Sequence, residues 1–408
     1  MTSHQRPAAR DQKPKPRFSY YLYNTTTPVS DDHAVWHRPL PLSRKFSIKN
    51  DAISISHGEY FLAARKFIEN KDFDIISQAL SRRLQRKVQP AEIHKIQIGL
   101  EKHGEFYHPA RIKVLARQQS IAFVLNVAVS ETGIRIIEGE YRNLKKLNDE
   151  FSLSFLPQVY GFGETTTAGK RKISMFLGEW FEGFREFHVS RDPSDNTDKI
   201  FVWDGPSSRY CLSSQQQAEI YRQAARILAY YYNLETFEQI FPWHHASGDF
   251  IVRIENAVIE LKLISVRRYD SLFRDLNPQK NRNQDAELIL QALLLFFLSL
   301  SIRMRLDRMD GVGEIIWEGH RAVSSTLEGF LEGLSLKPQI PLLPDAIDRC
   351  FRYYLSVCTK EDIFGLSQAM VNEFNPMSPE TPIVKQYLDE HVAVLSRTLE
   401  TFFTSLEA

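Results

Sequence analysis

Apolar residues recur at mostly helical spacing from 60 to 86, where Phe61, Leu62, Phe67, Ile68, Ile75, Ile76, Leu80 and Leu84 mark one side, with a break expected near Asn70-Lys71-Asp72. Three short runs of strand character follow at 93–100, 110–116 and 121–129, joined by polar connections that predict an antiparallel meander. From 138 to 151 the period returns to that of a helix, with Tyr141, Leu144, Leu147 and Phe151 on one face, and 156–161 and 173–181 are strand-like again. Three strands, one helix and two strands predict a small α+β lobe.

The stretch 191–214 is polar and irregular, with a turn at Val202-Trp203-Asp204-Gly205-Pro206, and 213–233 reads as an amphipathic helix opened by a serine cap. Next comes the polar loop Pro242-Trp243-His244-His245-Ala246-Ser247-Gly248-Asp249. It runs into two β-branched segments separated by Glu255-Asn256, which predicts a loop feeding a hairpin. Beyond it the pattern is helical over 285–309, 315–334, 344–357 and 382–403, with no internal repeat. The longest apolar run, Leu288 to Ile302, is 15 residues broken by Gln291, Ser299 and Ser301. A membrane span needs about 20, so a buried helix and no span are expected.

Composition narrows the classes of function. The chain has 408 residues, 43% of them hydrophobic, enough for two or three domains with sizeable cores. A net charge of +1 gives no global field to recruit nucleic acid or an anionic membrane, so the expected partner is a small molecule or a protein, and polyanion binding would need a local patch. Cys211, Cys350 and Cys358 are odd in number and not spaced as metal pairs, which fits a reduced, cytoplasmic setting. The first 19 residues carry Arg6, Arg10, Lys13, Lys15 and Arg17 among prolines without an apolar stretch, so a disordered basic tail is expected rather than a secretory signal. The expected division is a tail and irregular lead-in over 1–58, a helical extension over 59–89, a mixed lobe over 90–182 and a helical lobe over 183–408.

The element order over residues 90–330 resembles the protein-kinase-like fold in its aminoglycoside-phosphotransferase branch. The resemblance implies an α+β, two-lobed architecture, with ATP and Mg2+ as the cofactors. Glu179-Trp180-Phe181-Glu182-Gly183 looks like that family's hinge, where backbone groups meet an adenine edge. Glu140 falls at the helix glutamate that pairs with a strand lysine, and Asn126 stands at the lysine position, bringing a hydrogen-bond donor without charge. In the loop, Asp249 takes the place of the metal-binding asparagine and His244, five residues earlier, that of the catalytic aspartate. A histidine is a capable general base near neutrality. The second metal aspartate corresponds to Ser265. In another register Asp249 is the catalytic aspartate, which leaves Ile254 at the metal position.

The segment corresponding to the phosphate loop, 102–109, holds a single glycine, with His103, Tyr107 and His108 beside it. Together with His188 and the pair His244-His245 it could gather several imidazoles. Arg111, Lys113, Arg267 and Arg268 are the basic residues available to restore charge. Asp307-Arg308-Met309-Asp310-Gly311 resembles a calcium loop, but Leu306, Arg308 and Trp317 occupy positions that need oxygen ligands, so a helix-ending turn is expected. Three readings stay open: a pseudokinase-type binding or regulatory module, an unconventional ATP-dependent phosphotransferase using His244 and Asp249, and a metal-dependent hydrolase with a histidine-rich site.

Overall fold

A computed structural model describes residues 15–41, 55–104, 106–205, 208–271 and 286–407. The expected disordered tail at 1–14, and 42–54 of the lead-in, lie outside the described residues. The chain is a mixed α+β protein with a multi-stranded sheet in its N-terminal part and a helical C-terminal region, as the sequence pattern predicts. It divides into two compact units, Met1–Tyr141 with Gln158–Glu182, and Arg142–Pro157 with Gly183–Ala408.

The first unit contains β1 (Arg17–Tyr21), α1 (His57–Leu84), β2 (Ile93–Leu100), β3 (Ala110–Ala116), β4 (Gln119–Ala128), the first part of α2 (Glu131–Glu150), β5 (Val159–Thr166) and β6 (Lys172–Glu179). The strands form one sheet in the order β1-β2-β3-β4-β6-β5, antiparallel except for the parallel pair β1 and β2. Strand β1 lies within the expected tail and lead-in. Its signal was too short to read: Phe18 and Tyr20 pack against the core while Arg17 and Ser19 alternate with them, over only five residues.

Helix α1 starts with a capping box between Ser56 and Glu59 and contains the expected break. Lys71, Asp72 and Phe73 take φ of +49°, +53° and +64°, a left-handed turn that costs non-glycine residues about 1–2 kcal/mol each. Burial of Phe73, stacked on Phe18 at 6.3 Å, offsets part of that cost. The helix lies close over β5, where a Cβ at Gly161 or Gly163 would come within 2.7 Å of Ile75 or 2.9 Å of Phe67. Helix α2 covers the opposite face, with Tyr141 packed on Phe162 and Phe176 at 5.8 and 6.0 Å.

The second unit continues with β7 (Phe187–Arg191), β8 (Asp198–Trp203) and β9 (Arg209–Cys211), a three-stranded sheet of which β8 and β9 lie in the segment expected to be irregular. Its polar surface hid it: Asp192 and Asp195 both bond Lys199 at 2.7 and 2.6 Å around the β7–β8 turn. Helix α3 (Ser214–Tyr231) has the expected serine cap at Ser213, and β10 (Glu238–Ile240) leads to the polar loop. Strands β11 (Phe250–Glu255) and β12 (Val258–Leu263) form the expected hairpin, closed by Asn256 and Ala257 at φ +49° and +65°. Strand β13 (Tyr269–Ser271) returns to pair with β10.

Helix α4 (Ala286–Arg303) is long and apolar enough to cross a membrane by length and composition, yet 61% of it is buried inside the structure, as the buried-helix reading expects. It stops six residues before the expected end, because Leu306–Arg308 (β14) pairs with Ile315–Trp317 (β15). Helices α5 (Arg321–Ser335), α6 (Ile347–Ser356), α7 (Lys360–Asn372) and α8 (Glu380–Glu407) complete the unit, with α7 not foreseen in the sequence. Phe297, Phe330 and Phe351 meet at its centre with ring centroids 5.1–6.1 Å apart.

Candidate functional site

The loop between β10 and β11 is held from four sides within the second unit. At its end, Asp249 is 2% exposed. Arg267 donates Nη2 to Oδ1 at 2.6 Å and Nη1 to Oδ2 at 3.2 Å, and the His244 N–H donates to Oδ2 at 3.0 Å. A carboxylate has about four acceptor positions, and three of these are taken. The hairpin fixes this geometry: Phe250 pairs with Leu263, and the Ile264 N–H donates to the Asp249 carbonyl at 2.8 Å. Half-buried Ser265 follows, two residues before Arg267.

Magnesium is usually held by one or two carboxylates together with substrate phosphates. Here the single carboxylate is already engaged by a guanidinium whose positive charge opposes a second cation. Ser265 adds a hydroxyl and no charge. This donor set falls short of what magnesium takes.

His244 directs Nε2 to Glu380 Oε1 at 3.0 Å, at the start of α8, and the other Glu380 oxygen lies 3.6 Å from Arg303. Burial alone would lower the His244 pKa, but the Glu380 hydrogen bond and the charges of Asp307, Glu380 and Asp249 outweigh it and leave the group above its ordinary value. The same bond lowers the Glu380 pKa. Arg303 also lies over the ring of Phe241, 4.3 Å from its centroid.

Asp307 anchors the middle of the loop. It is 1% exposed, accepts from the Ala246 N–H at 2.7 Å and from the Ser247 hydroxyl, and also takes the Arg308 N–H at 2.7 Å. His245 Nδ1 lies 3.1 Å from the same carboxylate without the alignment of a hydrogen bond, its ring edge-on to Tyr221. Burial lowers the His245 pKa against the opposing charge of Asp307. On the loop's other side, His188 Nδ1 donates to the Ala246 carbonyl at 2.9 Å. The turn before β15 fits closely here: a Cβ on Gly311, at φ +74°, would stand 2.6 Å from the His188 ring.

The remaining expected residues are in the first unit. Asn126, half-buried, pairs in register with Phe176 and therefore stands on the sheet face that α2 covers. Glu140 is buried on α2 beside Tyr141. Glu179 ends β6, with Oε1 accepting from Arg83 at 2.8 Å and Oε2 from the Gln158 N–H at 3.3 Å. Trp180 lies under the Arg111 guanidinium at 4.8 Å, and Arg111 in turn forks onto Glu182.

His103 and His108 meet in the first unit with Nδ1 atoms 3.1 Å apart, and burial, with His103 and His57 nearby, lowers the His108 pKa to about 3. His188, His244 and His245 belong to the second unit and each faces its own oxygen atom. Among the described residues no group of three or more His, Cys, Asp or Glu side chains converges to hold a metal.

Sequence reasoning placed His244 and Asp249 in one loop and missed their partners. Arg267 stood out only as a basic residue after the hairpin, Asp307 only as part of a failed calcium loop, and Glu380 carries no local signal 136 residues from His244.

No family model matches the sequence, and no curated protein matches it. Among solved structures the chain is similar to one described as WaaP in complex with acyl carrier protein, at 10% identity over 66% of this chain and 85% of that one, with a TM-score of 0.30. It is similar to a Neurospora crassa PAN3 pseudokinase mutant at 15% identity over 72% of this chain and 64% of that one, with a TM-score of 0.24. A third likeness, to a chain in the complex of Neurospora crassa PAN2 (WD40-CS1) with PAN3 (pseudokinase and C-term), has 14% identity over 77% of this chain and 69% of that one, with a TM-score of 0.25. Superpositions this loose carry no inference about activity.

Proposed function

We propose that this chain is a kinase-like protein whose phosphotransfer site is filled by its own side chains, making it a pseudokinase-type module that works by binding or regulating a protein or small-molecule partner. The observation that carries this reading is the bidentate Arg267–Asp249 pair. On this reading the carboxylate that the family resemblance assigns to magnesium is neutralised from within the chain. The strand, helix and loop order supports the kinase-like part, and Asn126 in place of a lysine removes a second charge from the phosphate side.

Thermal unfolding with ATP, with and without magnesium, tests the reading. A ligand at a hundred times its dissociation constant adds about 2.7 kcal/mol, or several degrees in a domain of this size. The expected result is no magnesium-dependent rise in the midpoint. A rise of several degrees that Asp249→Ala abolishes would overturn it.

A second reading, an unconventional phosphotransferase, draws support from the His244–Glu380 pair, since a carboxylate that orients an imidazole is also the way a general base is built. On that reading ATP turnover with pooled alcohol, aminoglycoside or peptide acceptors is present in the wild type and lost in a well-folded His244→Ala protein.

A further inference from the structure

The sheet of the first unit has two unlike faces. Helix α1 covers one. On the other, α2 packs on Phe162 and Phe176 at the β5–β6 end and leaves the β1–β2–β3 end to solvent. Register fixes which side chains stand on that open end. Arg17 pairs with Lys95, Lys95 with Leu115 and Leu115 with Ser120, and the next row runs Ser19, Gln97, Lys113, Ala122. A third row runs Tyr21, Gly99, Arg111, Val124.

These twelve positions hold four basic residues, Arg17, Lys95, Lys113 and Arg111, and no acidic one. Glu101 Oε1 reaches within 3.9 Å of where a Cβ on Gly99 would stand, and in a chain with a net charge of only +1 the face still carries an excess of positive charge. Arg17, Lys95 and Lys113 are exposed, and Arg111 forks onto Glu182 past the edge of the patch. Serine, glycine, alanine and valine make up most of the floor between them, so an extended chain can lie close to it.

We propose that this β1–β2–β3 face is a docking surface for an acidic, extended protein segment. The argument is charge complementarity. Neighbouring strands lie about 4.8 Å apart and same-face residues along a strand about 6.8 Å apart, so Arg17 and Lys95 stand side by side in one row and Lys113 and Arg111 follow along β3 in the next two. An extended peptide presents its same-face carboxylates at that second spacing. Single-stranded nucleic acid fits less well, because its recognition relies on aromatic faces that stack bases. Of the rings at the patch, Tyr21 is half-buried with its hydroxyl tied to Gln97 at 3.0 Å, and Trp180 is already stacked against Arg111 at 4.8 Å. The inference stands apart from the reading of the Asp249 site.

A fluorescent deca-glutamate peptide and a fluorescent oligouridine of equal charge, each titrated with the full chain at low and physiological salt, test it. The peptide is expected to bind with salt-dependent affinity, to lose at least tenfold with Lys95→Glu/Lys113→Glu, and to be unaffected by Lys145→Glu on α2. The alanine pair at 95 and 113 should give a smaller loss in the same direction, and serves if the reversed pair does not fold. Absence of peptide binding, equal losses at Lys145, or tighter binding of the oligouridine through the same lysines would each overturn the proposal.

Discussion

Asp307 accepts a hydrogen bond from the Ala246 backbone at 2.7 Å, across 61 residues of sequence, and takes the Ser247 hydroxyl on its other oxygen. One buried carboxylate thus fixes the loop that carries His244 and Asp249. Removing it leaves buried donors without acceptors, which costs about 1–3 kcal/mol for each group left unpaired. Asp307→Ala should lower the stability of the second unit by about 3–5 kcal/mol in urea unfolding, and Asp307→Asn by less. A loss under about 1 kcal/mol would show that the loop holds its shape without this anchor.

Glu318 gives the same region a pH dependence. Burial, with the Asp307 charge second, raises its pKa from the model-compound value of 4.5 to about 7. Between those two values the folded protein keeps a proton that the unfolded chain has lost. Stability therefore falls by about 1.4 kcal/mol per pH unit across the window and is level above it. The total is about 2–4 kcal/mol. Glu318→Gln keeps an oxygen for Tyr221 and removes the titration, so the variant should gain on the wild type as pH rises from 4.5 to 7. Parallel curves for the two proteins across that range would refute this origin.

Much of the first unit was legible because local pattern and tertiary environment agree there. The strands at 93–100, 110–116 and 173–179 alternate or run apolar as their buried positions require, and the α1 break coincides with three left-handed residues. Strand β1 was illegible because five residues behind a basic, proline-rich run carry too little periodicity, and β7–β9 because their polar pairs are satisfied only across strands. The candidate site divides in the same way. His244 and Asp249 were visible as polar residues at a strand entry, whereas Arg267, Asp307 and Glu380 become partners only when distant segments fold together. Local sequence marks an unusual loop. The charges that decide its chemistry come from elsewhere in the chain.

His244 and Glu380 supply a separate test, with a pH slope of the same sign as that of Glu318 but in a window that begins higher. The folded pKa of His244 is raised, so its pairing stabilises the protein fully below the unfolded value of 6.5, and that contribution is lost as pH rises through the folded value. Glu380→Gln removes the chief opponent of burial, and the imidazole should then titrate lower than in the wild type by NMR. The variant should also lose the part of wild-type stability that is present at pH 6 and gone in mild alkali. A His244 titration unmoved by Glu380→Gln would place the source of the shift in Asp307 and Asp249 instead.

The Arg267–Asp249 pair leads to the most direct prediction. Both groups are largely withdrawn from water, with side chains 24% and 3% exposed. Breaking a buried pair by deleting one partner costs about 3–5 kcal/mol, because the remaining charge stays buried without compensation. Arg267→Ala should therefore be strongly destabilised in urea, and Arg267→Lys less so, since an ammonium restores the charge without the fork. The orphaned carboxylate also becomes a place where a hard cation can offset that cost. Millimolar magnesium should raise the unfolding midpoint of Arg267→Ala and leave the wild type unchanged. Magnesium stabilisation of the wild type, or none in either protein, would mean that Arg267 is not what keeps the metal out.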